Sequence, residues 1–269
     1  MRLLVRHCTE FACAAGSSWL AQLLRMTPRE HAGQRVVRWS VRGDGSELPS
    51  FRDGFGNVTH LHTLHRFHRS ARVEVAGVVE TRDTAGVVAG APEPLPPAFF
   101  ARSTPLTAAD AALAALADEA GRAPDPLARL HRLMRLLRER LEYRAGVTGV
   151  ATSAAEALAG GAGVCQDFAH VFVGAARALG QPARYVGGYL HAGEAGQGAL
   201  ASHAWAEAWV ADLGWVGFDA SHGICPTERY VRASVGLDYA DAAPVRGVRR
   251  GAQDQSMQVR VQVAEVAAQ

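Results

Sequence analysis

Three side chains of this 269-residue chain have the types and order of a thiol-based acyl-transfer site: Cys165, then His203, then Asp219. A thiolate that attacks a carbonyl needs a base to hold its proton, and that base needs an acceptor to orient it. Gly160, Gly161 and Gly163 lead into Cys165, and apolar residues then recur at Phe168, Val171, Phe172, Ala175, Ala176 and Leu179. That spacing predicts a helix opened by the cysteine and ended at Gly180-Gln-Pro182. A thiol in a first helical turn faces unpaired backbone N–H groups and the positive end of the dipole, which favour thiolate. Free cysteine is also a common small buried hydrophobe, so this stretch alone leaves a packing role open.

The base and its orienter must come from elements that bring them together. Ser202-His-Ala-Trp-Ala-Glu-Ala-Trp-Val210 alternates large and small side chains as a strand does, and Trp215-Val-Gly-Phe-Asp219 is its return partner across the turn residues Ala211-Asp-Leu-Gly214. The pleat then sets a condition. Were Val210 to face Trp215, Asp219 would pair with Ala206 and lie on the sheet face opposite His203; were it to face Gly214, Asp219 would pair with Trp205 and lie diagonal to His203 on one face, ~7–8 Å between α-carbons. The site requires the odd, bulged connection.

Other chemistry-bearing residues have plainer readings. His170 is a helix-packing or polar-network residue, Asp167 a partner for the helix dipole, Glu207 a structural hydrogen-bonding group and Cys225 structural. Gln166 is a possible oxyanion contributor beside the Cys165 backbone N–H, and His222 could line the cleft mouth. Trp205, Trp209 and Trp215 could shape a substrate groove or fill a core. His60, His62, His65 and His68 invite a metal reading, but only the first two neighbour one another on a strand face and no carboxylate or cysteine supports them, so solvated strand histidines are expected.

Composition narrows the class. With 48% hydrophobic and 20% charged residues the chain reads as an ordinary globular protein, and a net charge of +2 gives no ground for a nucleic-acid or membrane surface. The arginines of the stretch 127–141 are interrupted by Glu139 and lack interleaved aromatics, so they read as a solvated helix face. Cys8, Cys13, Cys165 and Cys225 form neither a disulfide framework nor a zinc-ligand spacing. The N-terminus starts like a signal peptide, but Arg6, His7 and Glu10 break any apolar run. A cytoplasmic location is expected, with no metal or cofactor.

Residues 1 to about 91 read as β-structure: Val36–Val41 alternates, Val73–Thr81 is β-branched, and Asp53-Gly-Phe-Gly-Asn57 is a turn between strands. Pro92-Glu-Pro-Leu-Pro-Pro97 is stiff and extended, placing the domain boundary there: a β-sandwich-like domain over 1–97 and a second domain over 98–269. Two helices follow, one over Ala108–Ala120 and an amphipathic one from near Leu127. Arg184–Leu190 reads as a strand, the glycines 193, 196 and 198 mark a rim or lid loop, and the alternation near 256–264 is a strand that could return to the first domain.

Four segments together resemble the core of the bacterial transglutaminase-like superfamily: Gly163-Val-Cys-Gln-Asp-Phe-Ala-His170, Pro182–Leu190, Ser202-His-Ala-Trp-Ala-Glu207 and Gly214-Trp-Val-Gly-Phe-Asp219. Thr27-Pro-Arg29, Gln34 and Asp53–Asn57 resemble the β-rich N-terminal domain that accompanies this core, and Asp238–Gly247 continues the likeness downstream. The resemblance implies an α+β, papain-like core in which a helix carrying the cysteine packs on an antiparallel sheet. It implies Cys165 as nucleophile, His203 as base and Asp219 as orienter. The chain departs from the pattern at Ala220-Ser-His222 and at Leu237, where the family usually shows Pro-Thr-Asn and arginine. The expected function is acyl transfer on an amide or peptide bond of a peptide, protein or small amide, with hydrolysis favoured over transamidation. A non-catalytic peptide- or protein-binding cleft on the same fold is the alternative. The sequence leaves the oligomeric state open.

Overall fold

One strand carries the N-terminal half. In the computed structural model, which describes residues 1–193, 202–251 and 256–267, β1 runs from Arg2 to Thr27. Its neighbours are β2 (Gln34–Gly43), β3 (Ser46–Glu47), β4 (Ser50–Arg52), β5 (Val58–Leu64) and β6 (His68–Thr81), in the order β3-β2-β6-β1-β5-β4. The first half of β1 pairs with β6 and the second half with β5, all antiparallel. Leu3, Val5, His7 and Thr9 are buried in the first half, and Leu20, Gln22, Leu24 and Met26 in the second. The buried parity thus switches from odd to even across a register shift between Ala12 and Ser17. Gly16 sits in this bend with φ 78°, and a Cβ there would meet the Phe67 ring at 2.2 Å, so the turn admits only glycine. The bend folds the sheet over itself: Leu24 and Met26 pack on Val41, Val73 and Val75.

The remaining elements are β7 (Val87–Val88), α1 (Ala111–Gly121), α2 (Pro126–Arg140), β8 (Glu142–Tyr143), α3 (Ala154–Gly160), β9 (Ala162–Gly163), α4 (Cys165–Ala178), β10 (Ala183–Leu190), β11 (Ser202–Val210), β12 (Gly214–Phe218), β13 (Tyr230–Gly236), α5 (Tyr239–Ala242), β14 (Val245–Gly251) and β15 (Ser256–Glu265). The second sheet has the order β13-β10-β11-β12-β7, antiparallel throughout. Asp110 and Asp125 cap α1 and α2 by accepting from Leu113 N and Ala128 N at 2.8 and 2.9 Å. α4 packs on β10 and β11, and α1, α2 and α3 pack around α4, so that Leu130, Leu137, Phe172 and Phe218 share one buried core. The fold is thus α+β, as expected.

Each sheet receives strands from beyond the proline-rich segment. β7 joins the second sheet, while β14 and β15 pair with β1; β15 exposes one edge and half-buries Val259, Val261 and Val263. The halves are also clamped by amide side chains that mimic strand pairing. Asn57 donates to Val235 O at 2.8 Å and accepts from Val235 N at 2.9 Å, and Gln34 does the same with Arg232 at 2.9 and 2.8 Å. Both amides are buried, so each pair satisfies backbone groups that the β13 edge would otherwise leave unpaired.

Candidate active site

Cys165 is the first residue of α4, and the reason lies two residues upstream and two downstream. The Asp167 carboxylate turns back to accept from Val164 N at 2.8 Å and from Thr148 Oγ1 at 2.7 Å. This gives the buried Asp167 a cap role more specific than the general dipole partner expected of it. A Cβ at position 163 would lie 2.6 Å from that carboxylate, which explains the glycine two residues before Cys165. At the other end Gly180 takes φ 77° and stops the helix where the sequence predicts.

The hairpin has the odd register. Val210 faces Gly214 and Ala206 faces Phe218, with Gly214 at φ 81° after a three-residue loop. Continuing that register brings Asp219 opposite Trp205 and diagonal to His203. The His203 Nε2–H donates to Asp219 Oδ2 at 2.6 Å, with both side chains at least nine-tenths buried. A carboxylate only accepts, so Nε2 carries the proton and Nδ1 is the ring's free base position. The Cys165 thiol lines the same cavity as this ring and interacts with it electrostatically. Burial opposes charging His203, but the Asp219 hydrogen bond, the Cys165 thiol and both charges outweigh it and lift the imidazole to about 10.

Asp219 is held from every side. Its Oδ2 also accepts from Tyr230 Oη at 2.7 Å and His222 Nδ1 at 2.8 Å, and its Oδ1 from Ser221 Oγ at 2.7 Å, Ser221 N at 3.0 Å and His222 N at 3.2 Å. Against the upward push of burial, these donors hold its carboxyl far below the usual range. Tyr230 belongs to β13, too far along the chain for local reasoning to find; an aspartate followed by serine two residues on is an Asx-turn signal that points to Ser221. A third residue outside the sequence reading is Tyr143. The parallel pairing of β8 with β9 sets it opposite Gly163, it stacks on Phe168 at 6.4 Å, and its phenol lies close enough to Cys165 for the two groups to interact.

The cleft candidates separate. Gln166 lines, with Cys165 and His203, a cavity of about 400 Å³. Trp205 does not line it: two residues along the same strand face, its ring stacks on His203 at 6.3 Å and packs with Val186, Tyr230 and Val235 in a buried core. His222 sits behind the pair with its ring 5.1 Å from His203 and its side chain 48% exposed. His203, Asp219 and His222 place three ligand atoms within 4.8 Å of one another, but those atoms are joined by N–H···O hydrogen bonds, and a cation would have to displace both protons. Gly193 is described as a left-handed residue, whereas Gly196 and Gly198 of the expected rim loop lie outside the described residues.

Two of the secondary readings are sharpened and one is corrected. His170 is fully buried and its Nε2 accepts from Tyr239 N at 3.1 Å, a packing and network role. Glu207 is a structural hub: it meets Arg184 Nε at 2.7 Å and Arg232 Nε at 2.7 Å, and Arg184 continues to Glu93 of the proline-rich segment. His62 is not solvated. It is 2% exposed and held by Gln22 Oε1 and Asp44 Oδ2, both at 3.0 Å, because its strand partner Gln22 lies alongside and Gly43 and Asp44 at the end of β2 close over the ring.

Comparison with known proteins places the chain in a family. The profile of the Transglutaminase-like superfamily matches residues 114–220, spanning Cys165, His203 and Asp219, and that of the Bacterial transglutaminase-like N-terminal region matches residues 3–80. The chain belongs to the transglutaminase-like superfamily. An uncharacterized protein of Mycobacterium leprae is 30% identical over 291 residues, covering 99% of each chain. One of Mycobacterium tuberculosis (strain ATCC 25618 / H37Rv) is 29% identical over 249 residues, 83% of this chain and 79% of its own. A crystal structure from Cytophaga hutchinsonii, described as a candidate cysteine protease, superposes with a TM-score of 0.80 at 20% identity over 100% of this chain and 92% of that one. This superfamily member therefore has the transglutaminase-like fold from end to end. Among its described residues no helix is long and apolar enough to cross a membrane.

Proposed function

We propose that this chain is a cysteine-dependent acyl-transfer enzyme acting on amide or peptide bonds, and that it is a hydrolase in preference to a transamidase. Cys165 is the nucleophile, His203 the base and Asp219 its orienter. The observation that carries the reading is the His203 ring, fixed by Asp219 in the tautomer whose other nitrogen serves the Cys165 thiol at a helix N-terminus. His203 takes the thiol proton, the thiolate attacks the carbonyl, and the imidazolium returns that proton to the leaving amine. Water then gives a proton to His203 and its oxygen to the thioester, releasing the acid and regenerating the thiol. The Cys165 backbone N–H is the first oxyanion donor in this scheme, with Tyr143 beside it.

Hydrolysis is favoured because transfer to an amine requires water to be excluded, and the half-exposed His222 ring leaves His203 close to solvent on that side. The substrates are peptides, proteins or small amides. None of the four cysteines forms a disulfide, which supports a reducing, cytoplasmic location. The experiment is twofold: alkylation of the protein by iodoacetamide near neutral pH, and turnover of dipeptide and glutamine amides with and without a primary amine. Cys165 should be alkylated far faster than a buried cysteine, and Cys165→Ala should abolish turnover. Slow labelling of Cys165 with no turnover would leave the binding-cleft alternative, and full activity in Cys165→Ala would overturn Cys165 as the nucleophile.

A further inference from the structure

The cavity in front of Cys165 has a composition that selects its occupant. Its inner wall is built by β10 and β11, with Tyr185 and Tyr189 prominent, and its outer wall comes from the other half of the molecule, with Met26 of β1, Val245 of β14 and Met257 and Val259 of β15. At about 400 Å³ it is within the size range of small-ligand sites, large enough for an amino-acid side chain and part of its backbone. Several of the polar groups among its walls are already engaged, although Arg25 Nη1 is buried without a hydrogen-bond partner among the described residues. His7 Nε2 is 2.8 Å from Thr9 Oγ1 and its Nδ1 is 3.2 Å from Tyr189 Oη, while Arg25 Nε donates to Asp53 Oδ2 at 2.8 Å. Burial keeps His7 neutral and pushes the Tyr185 and Tyr189 phenols up, so neither tyrosine ionises near neutral pH. Apart from the thiol, the imidazole and the Arg25 guanidinium, whose Nε is tied to Asp53, the cavity offers an incoming group mainly apolar surface and no unpaired carboxylate.

From this we infer that the cavity is the acyl-side specificity pocket, and that it takes a bulky uncharged side chain, aromatic or branched aliphatic, from the residue whose carbonyl Cys165 attacks. The inference rests on the acyl-transfer reading above and adds the substrate class. Desolvating a cationic side chain there goes uncompensated and an anionic one must compete with Asp53 for Arg25, whereas an apolar one gains from Met26, Val259 and the tyrosine rings. Because β1, β14 and β15 form one wall, the N-terminal sheet is a specificity element of the site as well as a scaffold.

The test uses N-acyl-aminoacyl chloromethyl ketones, which carry only the acyl side of a substrate, on the whole chain. Phenylalanyl and leucyl reagents should alkylate Cys165 at least tenfold faster than alanyl, lysyl and glutamyl ones, each rate taken relative to iodoacetamide. Val259→Asp and Met26→Gln, on the wall away from the triad, should erase that preference, each reagent's rate being taken relative to the variant's own iodoacetamide rate. Equal rates across the reagents, with iodoacetamide still fast, would overturn the pocket and spare the acyl-transfer reading. Slow iodoacetamide labelling would sink that reading instead. A glutamyl reagent that reacts fastest would also overturn the inference and assign Arg25 as the reader of a carboxylate; because the reagent series is run on the unaltered protein, the result stands even if a variant misfolds.

Discussion

Val210 lies opposite Gly214, and this one register decides whether His203 has a partner. Three residues connect the strands, Gly214 absorbs the left-handed step, and Asp219 emerges on the face of His203 at 2.6 Å. Inserting a single glycine between Asp212 and Leu213 should reverse the face of Asp219 and lower amide turnover by at least about 10²-fold, the scale of losing a triad member. Inserting two residues restores the parity and should recover most of the activity. Turnover that survives the single insertion would mean that a bulge absorbs it and that the loop does not set the register.

The pH profile follows from what raises the His203 imidazole. Leaving-group protonation needs the imidazolium, so turnover should fall as pH rises through about 10, the value to which Asp219 and Cys165 lift the ring against burial. Asp219→Asn removes the charge that favours the cation, so its alkaline limb should move down toward the ordinary histidine range, with kcat lower by roughly 10²–10⁴. An unchanged alkaline limb in Asp219→Asn would show that another group sets it.

Glu207 tests the scaffold separately from the chemistry. It is fully buried between Arg184 and Arg232, whose charges and hydrogen bonds outweigh burial and hold its carboxyl down at about 2. Glu207→Gln strands two buried guanidinium groups against a neutral amide, and should lower stability by about 3–5 kcal/mol in urea denaturation. The folded fraction should still alkylate at Cys165 at the original rate. A loss under 1 kcal/mol would indicate that Glu93 and solvent compensate for the missing charge.

Acid should destabilise the protein well above the carboxylate range. His7, His31 and His170 are each lowered by burial to about 4. A depressed histidine favours the neutral native form, so its contribution is complete above the unfolded value near 6.5 and is lost as pH falls through 4. Thermal melts should therefore show the melting temperature dropping between pH 6.5 and 4, with each of these histidines contributing on the order of 2 kcal/mol. His7→Gln should flatten part of that dependence; a melting temperature constant over the window would refute the assignment.

Much of the positioning was legible locally, because it depends on contacts near in sequence. The start of α4 at Cys165, its end at Gly180 and the caps at Asp110 and Asp125 all involve partners within one turn. The middle of β1 was harder: Phe11-Ala-Cys-Ala-Ala-Gly-Ser-Ser18 has little β propensity, and its register shift between Ala12 and Ser17 is set against partners remote in sequence. His62 was misread for the same reason, since what buries it is a strand remote in sequence.

By itself the sequence determined the identities and order of Cys165, His203 and Asp219, the helix that presents the thiol, and a hairpin whose parity could be posed as a condition, since all of these follow from spacing along a single element. Only the tertiary structure decided that the parity is odd, that Tyr230, Ser221 and His222 saturate the Asp219 carboxylate, that Trp205 is packed behind His203, and that β1 and β15 wall the cavity in front of Cys165. The physical reason is that a side chain's hydrogen-bond partners and dielectric surroundings are set by which strands lie side by side. That pairing is a property of the whole folded chain, to which no single stretch holds the register.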